Sequence, residues 1–188
     1  TNFLCMAQWG PRKNVENTIG WFVENFKDDE KVGLVLKLNT ANSCIIDKYH
    51  TTDRLNKTLE NLGDYKCKVY LIHGDMSEEE IHSLYVHPKI SAMVSLTHGE
   101  GYGLPLFEAA YNGVLQKDSK WCYPQEYSFK KRLNEFLKNK GVHEKRAKSL
   151  ASQIRENFSE EKIFEDFSDA MELSKVEYEE NIEEVFVV

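Results

Sequence analysis

The chain has no apolar run near the roughly 18 residues that a membrane helix needs, and its first residues lack the basic-then-apolar layout of a signal peptide. Its four cysteines, Cys5, Cys44, Cys67 and Cys122, follow no CxxC or metal-type spacing. A reduced, cytoplasmic protein is therefore expected, with free thiols acting as small hydrophobes. Net positive charge is also missing: the formal charge is -7, against broad nucleic-acid binding, which needs a basic surface. The six histidines show no HxxxH or HxH spacing with carboxylates, so no metal site is expected. There is no GxSxG, and GEGYG is not GxGxxG, leaving hydrolase triads and dinucleotide oxidoreduction weakly supported.

What is present suffices for one substantial core, since 41% of 188 residues are hydrophobic. Charge is uneven, with an acidic tail over 172–188 and a basic stretch from Lys130 to Lys148. That stretch could touch anionic lipid headgroups at a membrane surface, although an ordinary solvated face is the simpler reading.

The first hundred residues alternate short apolar runs with helix-period segments, the pattern of successive βα units in a parallel sheet. Strands are expected at Phe3 to Met6, Val32 to Leu38, Val69 to Ile72 and Ala92 to Leu96. The second is apolar until Lys37, as a central strand would be. Asn14 is expected to cap a helix whose Val15, Ile19, Phe22, Val23 and Phe26 share one face. Leu55, Leu59 and Leu62 mark a second helix ending at Gly63, and Ser77 with Glu80 forms a capping box for a third. A fourth starts near Leu104. After Gly113 no apolar stretch is long enough for a fifth strand, and the remainder reads as three helices, the last capped by Ser159. The expected organisation is an α/β Rossmann-like domain over 1–125, with C-terminal helices over 126–188 packing on it.

The Gly-rich loop after the fourth strand carries Gly99, Gly101 and Gly103 and leads into a helix. Ligands of open α/β sheets gather at the carboxyl ends of strands, and a helix N-terminus attracts phosphate. Amides near Gly103 and Leu104 are thus a candidate phosphate cradle. Glu100 stands before the helix and Glu108 about one turn inside it. A carboxylate only accepts hydrogen bonds, and it can take two from a vicinal diol such as ribose or hexose. Read from spacing alone, Glu108 could equally decorate a helix start, where acidic residues complement the dipole.

The segment EGYGLPLFEAAYNG resembles the E-x7-E signature of the retaining GT-B glycosyltransferases called group 1, whose usual form is EGFGLPxxEAMAxG. The resemblance implies that Glu100 contacts the donor sugar, Glu108 binds the ribose hydroxyls, and the Gly103 and Leu104 amides meet the diphosphate of a nucleotide sugar, with Gly101 and Tyr102 also in the donor site. FLCMAQWGPRKN resembles the family's opening strand and basic loop, placing Lys13 at a phosphate-binding position. The family's second basic residue would fall at Gln8, and Arg12 is the candidate substitute. The resemblance implies that the turn near Gly74 lies where the nucleotide base is held; His98, read from its place in the loop, is either a donor to a ligand oxygen or sugar hydroxyl or a solvent-facing loop histidine. The implied function is the donor-binding half of a retaining, metal-independent transferase with no cofactor beyond its nucleotide-sugar co-substrate. A non-catalytic nucleotide-sugar-binding module and a GT-B-type epimerase remain the alternatives.

Two departures accompany the resemblance. The family follows this motif with another strand, turn and helix, so sequence is missing here between about Gly113 and Val114 or Leu115. Either the chain joins residues from both sides of an omitted stretch, which is favoured, or a deletion removes part of the sheet. The N-terminal acceptor domain of a GT-B enzyme is also not in this sequence, so the acceptor, whether glycan, lipid or protein, is unspecified.

Overall fold

Alternation along the strands sets the architecture. In a computed structural model, which describes residues 1–99, 104–112 and 124–171, four strands form one parallel sheet: β1 (Asn2–Gln8), β2 (Gly33–Asn39), β3 (Lys68–Ile72) and β4 (Ile90–Met93). Their order is β3-β2-β1-β4, so the two strands richest in buried apolar residues are the central ones. Successive side chains of a strand point to opposite faces. Phe3 and Cys5 of β1 and Leu34, Leu36 and Leu38 of β2 join one apolar layer, whereas Leu4 and Val35 join the other.

The first layer is covered by α1 (Val15–Asn25), α2 (Ile45–Glu60) and α5 (Glu126–Lys138). Every residue expected on the apolar face of α1 is buried there, including Phe22 at 0% exposure. Leu133 and Phe136 of α5 close the same layer, and the Phe136 ring lies 5.5 Å from that of Phe3 in an edge contact. The opposite layer holds Tyr85 from α3 (Glu78–Tyr85) and Ala109 from α4 (Leu104–Tyr111), packed with Leu4, Val35 and Met93. α3 opens with the expected capping box: the Ser77 hydroxyl accepts from the Glu80 amide and the Glu80 carboxylate from the Ser77 amide.

Three local features differ from the sequence reading. Asn14 precedes α1 in a left-handed conformation (φ 53°), but its side chain makes no capping bond. Its amide instead donates to the Leu96 carbonyl, 82 residues away. α2 begins at Ile45, well before Leu55, because the Cys44 thiol and the Asp47 carboxylate organise its first turn inside a segment without an apolar face. It ends at Glu60, and Gly63 sits in the following turn at φ 68°, a conformation costly for other residues. β4 stops at Met93, although Val94 and Leu96 stay buried beyond it.

The chain divides into two compact units, Thr1–Ser152 and Gln153–Val188, with α6 (Lys140–Asn157) running across the boundary. In the first, Ala147 and Ala151 of α6 are buried. In the second, α7 (Glu160–Ala170) is capped by the Ser159 hydroxyl, which accepts from the Lys162 amide. None of the α7 residues is buried. Among the described residues no helix is long and apolar enough to cross a membrane. The possible missing segment after Gly113 falls in 113–123, outside the described residues.

Candidate functional site

The chain places β2 and β3 successively on one side of β1 and then returns to add β4 on the other. The loops leaving β1 and β4 therefore depart from adjacent strands toward opposite sides. Such a reversal opens a crevice at the carboxyl edge of a parallel sheet, where ligands of this architecture bind.

Here the two loops are tied together. The β1 loop ends in a 3-10 turn, Pro11–Lys13, and the Arg12 guanidinium donates to the Gly99 carbonyl. In return, the Arg12 carbonyl accepts from the His98 amide at 2.8 Å and from the Thr97 hydroxyl at 3.2 Å. The Asn14 to Leu96 bond adds a buried tie below them. Two cations, Arg12 and Lys13, are thus held beside the segment that leads to α4. Lys13 lies close enough to the sheet for its charge to act on Cys5, whose thiol burial pushes up to about 12.

In the second apolar layer, α4 starts at Leu104 and carries a half-buried Glu108 next to the buried Ala109. Its Oε2 accepts from the Tyr85 hydroxyl at 3.0 Å. His98 is exposed and contributes its backbone amide to the loop tie. Gln8 lies at the end of β1 with its side-chain amide donating to the carbonyls of Thr40 and Ala41. Gly74, at φ 114°, follows β3, and its carbonyl accepts from the Lys37 ammonium. Glu100, Gly101, Tyr102 and Gly103 lie outside the described residues.

Beneath the β2 and β3 loops sits a buried acid–base pair. Asp47 Oδ2 is 3.0 Å from His73 Nε2, with both side chains at most 5% exposed. The Asp47 carboxylate also accepts from the amides of Thr40 and Ala41. Burial alone would raise this carboxyl, but the His73 bond and the two amides outweigh it and hold it below the ordinary 3.8. A carboxyl depressed in the folded state contributes stability above its unfolded value and loses it as pH falls through the folded one. Asp47→Asn is accordingly expected to cost about 1–3 kcal/mol at pH 7. In urea titrations the gap to the wild type should narrow as pH drops below about 4, where the unfolded carboxyl protonates; a gap independent of pH would refute the charge-based account.

Trp9 is buried in the first apolar layer at 2% exposure, with the Arg54 guanidinium carbon 4.7 Å from its ring centroid. The sequence assigned no role to Tyr85, Lys37 or the Asp47–His73 pair. Two of these carried a signal. A buried tyrosine brings a hydroxyl that needs a partner, and a lysine in a central apolar strand must reach a polar group at its end.

No family model matches the chain, and no curated protein does. Solved structures do. The C-terminal domain of a group 1 family glycosyl transferase, LpcC from Francisella tularensis, matches with a TM-score of 0.59 and 14% identity, covering 84% of this chain and 86% of that one. The catalytic domain of a cholesterol-alpha-glucosyltransferase from Helicobacter pylori matches at 0.56, again with 14% identity, over 81% and 96%. A variant of TarM from S. aureus, in complex with fondaparinux, alpha-GlcNAc-glycerol and UDP, matches at 0.64 and 14% identity over 89% of this chain. The chain spans only 34% of TarM. At such identity the likeness concerns the fold: four parallel strands with flanking helices, the architecture of the C-terminal domains of GT-B glycosyltransferases.

Proposed function

We propose that this chain is the donor-binding half of a glycosyltransferase that moves a sugar from a nucleoside diphosphate to an acceptor hydroxyl with retained anomeric configuration. The observation that carries the reading is the tie between the Arg12–Lys13 turn and the β4 loop, in the chain segment that precedes the helix bearing Glu108. Cations and a helix start favour a diphosphate, and the carboxylate favours a diol. The fold shared with glycosyltransferase domains supports the same reading, as does the UDP held by TarM.

In this reading residues 1–125 hold the donor and 126–188 support them. Gly103 and Leu104 amides meet the diphosphate, with Gly101 and Tyr102 alongside. Glu108 takes the ribose diol, and Glu100 orients the sugar. Gly74 borders the base, while Gln8 and His98 line the rim. When the glycosidic bond breaks, negative charge grows on the departing diphosphate. Lys13 and Arg12 stabilise it without a metal ion. The acceptor enters from a further domain, in a cytoplasmic enzyme.

Calorimetric titration of the 188-residue chain with UDP, GDP and ADP tests the binding half of the proposal. Saturable binding of at least one is expected, and silence toward all three would overturn it. Turnover is tested on the longer protein with donor alone and with donor plus acceptor. A glycosylated product supports the transferase, an altered sugar without acceptor would mean an epimerase, and binding without turnover a non-catalytic module.

A further inference from the structure

Tyr85 is the last residue of α3 and is 2% exposed, its ring packed among Leu4, Val35, Met93 and Ala109. Its hydroxyl emerges from that layer toward α4, 3.0 Å from Glu108 Oε2 and 3.2 Å from the Pro105 carbonyl. The Pro105 carbonyl belongs to the first turn of a helix and has an acceptor role along it. The ionised carboxylate is the stronger acceptor for the single phenolic proton. Burial, reinforced by the Glu108 charge, raises the phenol well above its ordinary 10, so the group stays a donor at any working pH.

A free carboxylate on a half-exposed helix would sample several rotamers, and ordering it on ligand arrival costs part of the binding energy. Of its roughly four lone-pair sites, Tyr85 occupies one on Oε2, leaving Oε1 whole and one further site on Oε2. Two adjacent hydroxyls need no more than that.

We infer that Tyr85 is a positioning residue that holds Glu108 in the orientation receiving both ribose hydroxyls, and so makes the site discriminate ribonucleotides from their deoxy counterparts. The inference rests on the donor-site reading above. It adds a residue that touches no ligand atom and acts through Glu108.

Tyr85→Phe removes the hydroxyl and keeps the packed ring. The test compares, by calorimetry on the whole chain, UDP, GDP and ADP with their 2′,3′-dideoxy counterparts, in wild type and variant. The wild type should prefer the ribonucleotide. The variant should lose about 3- to 10-fold in ribonucleotide affinity, the worth of one ordinary hydrogen bond. Its affinity for the dideoxy form should be unchanged, because that ligand does not call on Glu108. Equal weakening toward both forms would mean that Tyr85 merely supports α4, and the inference would fail. It would also fail if the variant discriminated as well as the wild type, with the donor reading left standing. A wild type that binds none of the nucleotides would bring down the donor reading and the inference together.

Discussion

Glu108→Ala is expected to abolish measurable ribonucleoside diphosphate binding, with affinity falling by about 100-fold or more. Two hydrogen bonds from a diol to one carboxylate are charge-assisted, and each is worth about 1.5–3 kcal/mol. Losing both amounts to roughly two to four powers of ten. The substitution should leave the fold intact, since alanine suits a helix and Glu108 is only half-buried in α4. Circular dichroism and the thermal midpoint of the unliganded variant check that point, and calorimetry reads the affinity. An affinity equal to that of the wild type would remove Glu108 from the ribose site and leave it as a dipole-complementing residue.

The largest loss of stability should follow from Phe22→Ala. Phe22 is fully buried on α1, and its ring meets Phe3 edge-on at 5.7 Å and Phe26 at 4.9 Å. Truncation removes the apolar contact and leaves a cavity lined by the rings of Phe3 on β1 and Phe26 just past the end of α1. A cost of about 3–5 kcal/mol is expected, lowering the midpoint of the Thr1–Ser152 unit by roughly 10 °C. Differential scanning calorimetry against the wild type measures it. A loss below about 1 kcal/mol would show that the layer collapses to refill the space. Leu133 of α5 is buried in the same layer, yet it makes no ring stack and should matter less.

The order and type of the first eight elements were legible because each βα unit announces itself locally. Val15, Ile19, Phe22, Val23 and Phe26 recur at helical spacing, and all five are buried. The start of α2 was not legible, for the converse reason. Ile45, Ile46 and Tyr49 are all exposed, so the turns they occupy present no apolar stripe. Strand order also escaped the reading, since pairing β1 with β4 joins Asn2 to Ile90 and no local pattern encodes that choice. In the candidate site, Glu108 was singled out from a motif and Arg12 as the substitute for a basic residue at Gln8, whereas the Tyr85 contact needed the packing of α3 against α4. Asp47 is one polar residue in a polar stretch, and only the fold shows that it meets His73.

The bond from Arg12 to Gly99 closes a span of 87 residues, and the β1–β4 ladder beside it is equally distant in sequence. Contacts of such separation carry the heaviest loop-closure entropy and form after local ones. A chain that has assembled β1, β2 and β3 with their helices already owns most of the first apolar layer, yet it has no crevice. The proposed binding surface comes into being only when β4 docks on the far side of β1. A ligand held there recognises the finished molecule alone and draws population out of every partly folded state in proportion to its concentration over its dissociation constant.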